Sequence, residues 1–244
     1  EVGAARRSDG SLVVADTDVG LLIFFAFASL ATYGPILGGW ASNNKLGMMG
    51  AIRGAAQMIS YEIALGMAVI GAVMVYGTLS LTSIVHQQDA LLWGFLPAWG
   101  IILQPLGFIL FMIAGYAESK RVPMDMPEGE SEIIGYWTEY SSMKFGLYFF
   151  GEFVEVVVLA MVVTTLYFGG WQLPWLYETG FIFPWGWEWE MARWLVVALG
   201  VIAFFVKTAI LCWFQLLIRW TFPRFRYDQL MRLGWKVFLP MSLG

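Results

Sequence analysis

The sequence predicts an all-α fold: a polytopic transmembrane helix bundle of five complete spans and the start of a sixth, with a folded acidic inner loop. Three observations carry that prediction. Of the 244 residues, 59% are hydrophobic and only 13% charged, about half the charged share of a soluble domain. A soluble fold cannot hide so much apolar surface, so lipid must cover it. The apolar residues also gather into stretches able to cross a bilayer, which takes about 20 residues each. Finally, the connections that carry Lys and Arg alternate with two, 82–90 and 170–192, that have none. Residues 1–244 read as a single membrane domain.

Taken in order, residues 1–17 are polar and show no signal-peptide pattern. The first span is expected over 19–39. Gly34 and Gly38, like Gly50 and Gly54 further on, are small residues four apart, a spacing that suits close helix packing. The connection 40–57 carries Lys45 and Arg53, and the second span is 58–81. The connection 82–90 holds the run His86-Gln87-Gln88-Asp89, which makes His86 a solvated loop residue. The third span, 91–117, leads into a charged segment, 118–144, with Lys120, Arg121 and Lys144. The fourth span is 145–169. The connection 170–192 has no Lys or Arg before Arg193 but holds Trp171, Trp175, Trp185, Trp187 and Trp189. Indole rings favour the headgroup zone, so this is an interfacial belt or a short re-entrant helix.

The fifth span is 194–220. Arg219 stands at its end, Arg224, Arg226, Arg232 and Lys236 follow it, and a last apolar stretch from Trp235 to Gly244 is too short to cross. The chain thus reads as beginning inside a loop and ending inside a helix, missing sequence at both ends. By the positive-inside rule the three Lys/Arg-bearing connections face the cytoplasm or the mitochondrial matrix. Arg6 and Arg7 fall on the other side, accompanied by Glu1, Asp9, Asp16 and Asp18.

The net charge of −4 carries no nucleic-acid signal. Cys212 and His86 are the only residues of their types, which excludes a disulfide framework and makes zinc, haem or iron–sulfur ligation by this chain improbable. Cys212 reads as a small apolar residue of a membrane helix. Neither a phosphate-cradling Gly-Lys-Ser loop nor a dinucleotide glycine fingerprint occurs.

Two features resist a purely structural reading. Six of the 18 carboxylates, Glu118, Asp125, Glu128, Glu130, Glu132 and Glu139, fall within residues 118–139. Pro123 and Pro127 bracket Asp125 and stiffen its backbone. The continuation Ile133-Ile134-Gly135-Tyr136-Trp137 is too apolar for a free loop, so the segment is expected to fold back as a packed, acid-lined funnel. Arg121, close by, is expected to lower the pKa of Asp125. The second feature is charge inside the spans: Glu62, Glu152, Glu155 and Lys207. Such a charge costs about 2.5–3.5 kcal/mol on insertion scales and usually faces the bundle interior for function. Glu152 and Glu155, three apart, share a helical face. Together in a low dielectric they suit a proton relay; if Lys207 lies close, a buried Glu–Lys pair is the alternative.

At these residues the sequence resembles a known family. The run Glu118-Ser119-Lys120-Arg121-Val122-Pro123-Met124-Asp125-Met126-Pro127-Glu128-Gly129-Glu130-Ser131-Glu132 is similar to Glu-Thr-Asn-Arg-x-Pro-Phe-Asp-Leu-Pro-Glu-x-Glu-Ser-Glu. That motif belongs to the quinone-chamber membrane component, called 1 in mitochondria and H in bacteria, of respiratory complex I, the proton-pumping NADH:quinone oxidoreductase. The continuation Gly135-Tyr136-Trp137-Thr138-Glu139-Tyr140-Ser141-Ser142-Met143-Lys144-Phe145 matches the same family. So do Gly39-Trp40-Ala41-Ser42-Asn43-Asn44-Lys45 with Gln57-Met58-Ile59-Ser60-Tyr61-Glu62, and Pro223-Arg224-Phe225-Arg226-Tyr227-Asp228-Gln229-Leu230-Met231. Departures are Ser119-Lys120 for Thr-Asn and Met124 for Phe. A one-residue offset also separates Phe149-Phe150-Gly151-Glu152-Phe153 from the family's Phe-Phe-Leu-x-Glu-Tyr.

The resemblance implies eight family helices, of which this chain matches the third to eighth. It implies a quinone chamber and acidic inner loop built with Glu118, Arg121, Asp125, Glu128, Glu130, Glu132, Tyr136 and Glu139. It implies a proton relay through Glu62, Glu152, Glu155 and Lys207, and inner-face docking through Lys45, Arg53, Arg224, Arg226 and Asp228. Quinone would be the substrate. This chain would bind no cofactor of its own, with FMN and iron–sulfur clusters held by partner subunits. Partners would be the peripheral-arm quinone-site subunits and the antiporter-like membrane subunits, in a bacterial plasma membrane or a mitochondrial inner membrane. Rival readings are the homologous anchor of an ion-pumping membrane-bound hydrogenase and a proton-coupled secondary transporter, although no inverted repeat supports the latter.

Overall fold

The computed structural model describes residues 17–92, 95–129, 133, 135–177, 180–182 and 188–243. Glu130, Glu132 and Ile134 of the acidic segment, Trp185 and Trp187, and the N-terminal Glu1, Arg6, Arg7, Asp9 and Asp16 lie outside the described residues. Four helical stretches are long and apolar enough to cross a membrane: Gly20–Ala41, Lys45–Tyr76, Met143–Tyr167 and Arg193–Thr221.

The first stretch consists of α1 (Gly20–Leu30) and α2 (Tyr33–Ala41), with a turn at Ala31–Thr32 between them. Helix α3 (Lys45–Tyr76) has 32 residues and is about 48 Å long, well beyond the roughly 30 Å of bilayer hydrocarbon. The sequence placed 40–57 in a connection, but the turn is confined to 42–44. Asn44 accepts the Leu46 N–H at 3.0 Å and so satisfies one of the free donors at a helix start. Lys45 and Arg53 therefore ride on the helix rather than in a loop. Gly77, at φ 65°, ends it in the left-handed conformation.

The region read as the third span is divided. Leu91–Leu92 (β1) pairs with Leu96–Pro97 (β2), then come α5 (Gly100–Leu103) and α6 (Pro105–Glu118). Pro105 has no N–H to donate, and Gln104 adopts φ −138°, ψ 67°, so the helix restarts there. Helix α6 alone spans about 21 Å. His86 also sits differently from expectation. It lies on α4 (Leu81–Gln87), capped by the Ser80 hydroxyl, with its ring edge-on to that of Trp171 at a centroid distance of 6.0 Å. The connection 170–192 contains no described re-entrant helix. Leu176–Tyr177 (β3), Gly180–Ile182 (β4) and Glu188–Glu190 (β5) form a small antiparallel sheet, as befits a run rich in aromatic residues.

Helices α7 (Met143–Tyr167) and α8 (Arg193–Thr221) follow the expected fourth and fifth spans. The last apolar stretch begins earlier than Trp235. Helix α9 (Tyr227–Leu233) runs through a π turn, Gly234–Phe238, into α10 (Leu239–Leu243). The wider turn precedes Pro240, which cannot donate to an ordinary helical ladder.

Helix α3 is the centre of the bundle and packs on α2 and α6. Tyr61, Phe111, Leu166 and Tyr167 are fully buried around it, and the Tyr61 hydroxyl donates to the Leu230 carbonyl at 2.9 Å. Segments bearing the Lys and Arg residues meet at one end. Asn44 Nδ2 donates to Glu139 Oε1 (2.6 Å), and the Phe225 N–H to the Pro123 carbonyl (3.0 Å). At the other end the buried Gln88 side chain accepts the N–H groups of Gly100 (3.3 Å) and Gly169 (2.8 Å) and donates to the Thr165 carbonyl (2.9 Å). Single cysteines at positions 87 and 139, in a Cys212→Ser background, are therefore expected to react with a membrane-impermeant maleimide from opposite faces of a vesicle. Labelling of both from one face would contradict this topology.

Candidate functional site

The site starts at the C-terminal end of α6. Lys120 takes φ 53°, and the chain turns so that both of its consecutive cations point back into the bundle. Lys120 is 3% exposed, with Nζ 3.4 Å from Glu155 Oε1. Arg121 Nη2 stands 3.6 Å from Glu152 Oε2, at a carboxylate that is 3% exposed. The Arg121 guanidinium also lies over the Phe153 ring (4.4 Å) and the Phe149 ring (5.7 Å). Weak hydration lets a guanidinium sit buried against aromatic faces in this way. One acid pair, three apart on α7, thus meets one pair of adjacent cations at the end of α6.

Lys207, grouped with those acids on sequence, is not brought to them. Its Nζ donates to the carbonyls of Phe168 (2.7 Å), Gly170 (3.1 Å) and Gln172 (2.5 Å) and lies over the Trp99 ring. It closes the C-terminal end of α7, roughly 20 Å along the helix axis from Glu155. A cation there offsets the negative end of the helix dipole.

Beyond Arg121 the segment packs down. Gln57, fully buried on α3, donates to the carbonyls of Ala117 and Met124, both at 2.6 Å. Gly50 and Gly54 do not serve helix–helix packing as their spacing implied. A methyl on Gly54 would stand 2.8 Å from Pro127 Cγ, and one on Gly50 3.1 Å from the Pro127 carbonyl. These glycines let the acidic segment lie against α3. Of the other pair, Gly38 faces the Tyr148 hydroxyl, and Gly34 has nothing within 4 Å.

Asp125 is buried, and its Oδ1 accepts the Glu128 N–H at 3.0 Å. Burial, with the nearby Glu128 charge adding to it, pushes this carboxyl up to about 7; that hydrogen bond, Arg224 and Arg121 pull the other way and lose. Arg121 lowers it as expected, but the desolvation of the buried carboxyl outweighs that effect. An acid whose folded pKa exceeds its unfolded value stabilises the fold below the unfolded pKa, and that contribution is lost as pH rises through about 7. Asp125→Asn is therefore expected to melt at a higher temperature relative to wild type at about pH 8 than at about pH 6. A pH-independent difference would show that Asp125 does not titrate there.

Glu128 Oε1 accepts the Trp137 indole N–H at 3.0 Å, and its carboxyl lies within hydrogen-bonding reach of Glu152. Tyr136 is 2% exposed, and burial first, then the charges of Glu152, Glu128 and Glu155, raise its hydroxyl far above the ordinary tyrosine range. On the other flank, Glu118 faces Glu155 and Glu62, and Glu62 lies within reach of Ser29 on α1. The result is a row of acids: Glu62, Glu118, Glu155, Glu152, Glu128, Asp125. A cavity of about 270 Å³, walled by Phe24, Phe25, Phe111, Val158, Glu118 and Glu155, opens beside it.

A sequence model of the family described as NADH dehydrogenase matches residues 3–244. The chain belongs to the NADH dehydrogenase family. It is 46% identical over 234 residues to the first H-type subunit of the NADH-quinone oxidoreductase of Cytophaga hutchinsonii, covering 96% of this chain and 64% of that one. It is 45% identical over 233 residues to the like-named protein of Geobacter metallireducens, covering 95% and 62%. Against NADH-quinone oxidoreductase subunit 8 of Rhodothermus marinus it is 43% identical over 238 residues, covering 96% and 67%. The chain thus spans less than two thirds of the length of the first two relatives. The family membership and the four apolar helices place the chain in a membrane.

The motifs that resemble the NADH dehydrogenase family all lie inside the matched region, and most converge on the acid row. Glu139 holds Asn44 at the short turn before α3. Arg53 lies over the Tyr227 ring at 5.4 Å. Arg224 donates to the Asp125 carbonyl, fixing the last connection to the acidic segment. Lys45, Arg226 and Asp228 are exposed. Lys120 and Gln57 are the contributors that sequence reasoning passed over. A signal for Lys120 exists: two adjacent cations at a helix end, followed by two acids three apart on the next helix.

Proposed function

We propose that this chain is the membrane subunit of a proton-pumping NADH:quinone oxidoreductase. In this reading it forms part of the quinone chamber and couples quinone reduction to proton movement through its buried carboxylates. The observation that carries the proposal is the gathering of Asp125 and Glu128, in the packed inner segment, with Glu152, Glu155, Glu118 and, on the central helix, Glu62, around the buried cations Lys120 and Arg121. A family membership alone does not require such a gathering; charge transfer between the inner face and the bundle interior does.

In this reading Arg121 sets the electrostatics of the inner end. It holds a positive charge between the membrane acid Glu152 and the segment that meets the quinone headgroup. A change of charge at the headgroup alters the balance on Glu128, Asp125 and Arg121, and through them the proton affinity of Glu152. Glu155, Glu118 and Glu62 take the proton inward. Redox centres, FMN and iron–sulfur clusters, would belong to partner subunits; Cys212, half-buried in α8, does not make a cluster site. Exposed Lys45, Arg226 and Asp228 would meet the peripheral-arm subunits, and the bundle the antiporter-like ones. The membrane would be a bacterial plasma membrane or a mitochondrial inner membrane.

A photoreactive quinone analogue tests the chamber. Cross-links competed away by excess quinone are expected on peptides covering residues 118–144. Competed cross-links that fall only on other subunits would contradict the assignment of the chamber to this segment.

A further inference from the structure

Lys120 and Arg121 are the two cations turned in toward the acids of α7, and their own sequence does not aim them there. They sit in the turn 119–123 between α6 and the packed acidic segment. Lys120 takes φ 53°, a conformation that few side chains other than those of Asn and Asp adopt, and is 3% exposed. The similar family motif has Asn at this place. A lysine persists in such a backbone only where its surroundings hold it.

Gln57, on the facing helix α3, grips this turn. Its side chain is fully buried, and Nε2 donates to the carbonyls of Ala117 and Met124, both at 2.6 Å. These two residues flank the turn, and the backbone of each is bonded to one of the cation-bearing residues. The Ala117 carbonyl also accepts the Lys120 N–H (3.4 Å), and the Met124 N–H donates to the Arg121 carbonyl (2.8 Å). One amide group thus closes the base of the turn on both sides. The reverse orientation of the amide would set Oε1 against two carbonyl oxygens, so the surroundings fix which side donates. Other bonds brace the turn from the α6 side. The Tyr116 hydroxyl donates to the Val122 carbonyl (2.5 Å), and the Ser119 hydroxyl to the Tyr116 carbonyl (2.9 Å). Gln57 ties it to the central helix.

We infer that Gln57 is a positioning residue for proton coupling: it holds Lys120 and Arg121 against Glu155 and Glu152 and so sets the charge balance of the acid row. This role rests on the function proposed above. Lys120 Nζ is 3.4 Å from Glu155 Oε1, and Arg121 Nη2 is 3.6 Å from Glu152 Oε2. Both carboxylates stand on α7 and Gln57 on α3, so the amide acts on them through the turn. Misplacement by about 1 Å is enough to cost a preorganised site much of its activity. Holding the turn to α3 therefore keeps both cations at their acids.

The test uses the fully assembled complex. Gln57→Met keeps the length of the side chain but has no donor. Its quinone reductase activity is expected to fall roughly tenfold, the scale of losing two buried donors, in kcat rather than in KM for quinone. Electron transfer from NADH to an artificial upstream acceptor should persist. Combined with Arg121→Ala, Gln57→Met should cost little more than Arg121→Ala alone, because the residue through which Gln57 acts is already gone. Gln57→Glu keeps the length and, as the neutral acid, one of the two donors. Its activity should lie between the other two, and its ratio to wild type should fall as pH rises and that proton is lost. A cryo-EM map of Gln57→Met is expected to show Lys120 and Arg121 withdrawn from Glu155 and Glu152. That map needs no activity, so it separates this inference from the quinone reading, which fails instead if the wild-type complex does not reduce quinone. Cations unmoved in the map, or losses that multiply in full in the double variant, would overturn the inference. Failure of both Gln57 variants to assemble would also overturn it and make Gln57 a folding residue.

Discussion

Replacing Arg121 by Ala is expected to reduce quinone reductase activity by roughly tenfold or more, while electron transfer from NADH to an artificial acceptor upstream persists. Arg121 is buried, and its guanidinium has two jobs: it is the cation nearest Glu152 Oε2, at 3.6 Å, and it covers the Phe153 ring at 4.4 Å. Removing one partner of a buried ion pair leaves the other charge uncompensated, a loss of about 3–5 kcal/mol where the site does not relax. Here relaxation is open to the system, since Glu152 can take up a proton and become neutral. The variant is thus expected to assemble with a neutral, immobile proton on Glu152. Arg121→Lys tells charge from shape: the ammonium keeps the charge but loses the planar stacking on Phe149 and Phe153, so partial activity is expected. Equal loss of the quinone and upstream activities in Arg121→Ala would mean misassembly rather than a damaged chamber.

Glu152→Gln is expected to give an assembled complex whose coupled activity falls on the order of a hundredfold, the usual scale for removing a proton-transferring group. Gln fills the same space and still hydrogen-bonds, but it cannot bind and release a proton. Glu152 is the most buried acid of the row that the structure describes on α7, and it lies between Arg121 and Glu128. Glu155 is 29% exposed and paired with Lys120, so Glu155→Gln is expected to do less. Because quinone reduction and pumping are linked in this account, both should fall together in Glu152→Gln. A variant that pumps at the wild-type rate and ratio would make Glu152 a packing residue.

Much of this site was legible in the sequence because insertion of a charge into lipid is costly, so each charged residue in an apolar stretch was informative by itself. Glu62, Glu152 and Glu155 were found that way, and the acid row includes all three. Lys207 was found by the same rule but misplaced: cost of insertion says that a charge is partnered, not by what, and its partners are backbone carbonyls at a helix end. For Asp125 the sequence showed the lowering influence of Arg121 but not the burial that outweighs it, nor Arg224, 99 residues away, which donates to the Asp125 carbonyl.

In the fold, hydropathy located the long helices but not their ends. Helix α3 starts 13 residues before the expected span at 58, because an Asn44 cap and small residues sustain helix ahead of it. The break at Gln104–Pro105 was written in the proline yet hidden by the uninterrupted apolar character of 91–117. Gly50 and Gly54 had the spacing of helix packing, and only the fold shows that Pro127 of the acidic segment is what they admit.

The proteins that surround this chain, and the reaction they carry out together, decide its role most directly. The measurement is affinity purification of the tagged chain in mild detergent, with mass spectrometry of the copurifying proteins and an NADH:quinone reductase assay on the same sample. Recovery of NADH-oxidising, iron–sulfur and antiporter-like subunits, with quinone reduction that depends on NADH, is the predicted result. Recovery of nickel–iron hydrogenase subunits, or of the chain alone as a working proton-coupled transporter, would contradict it.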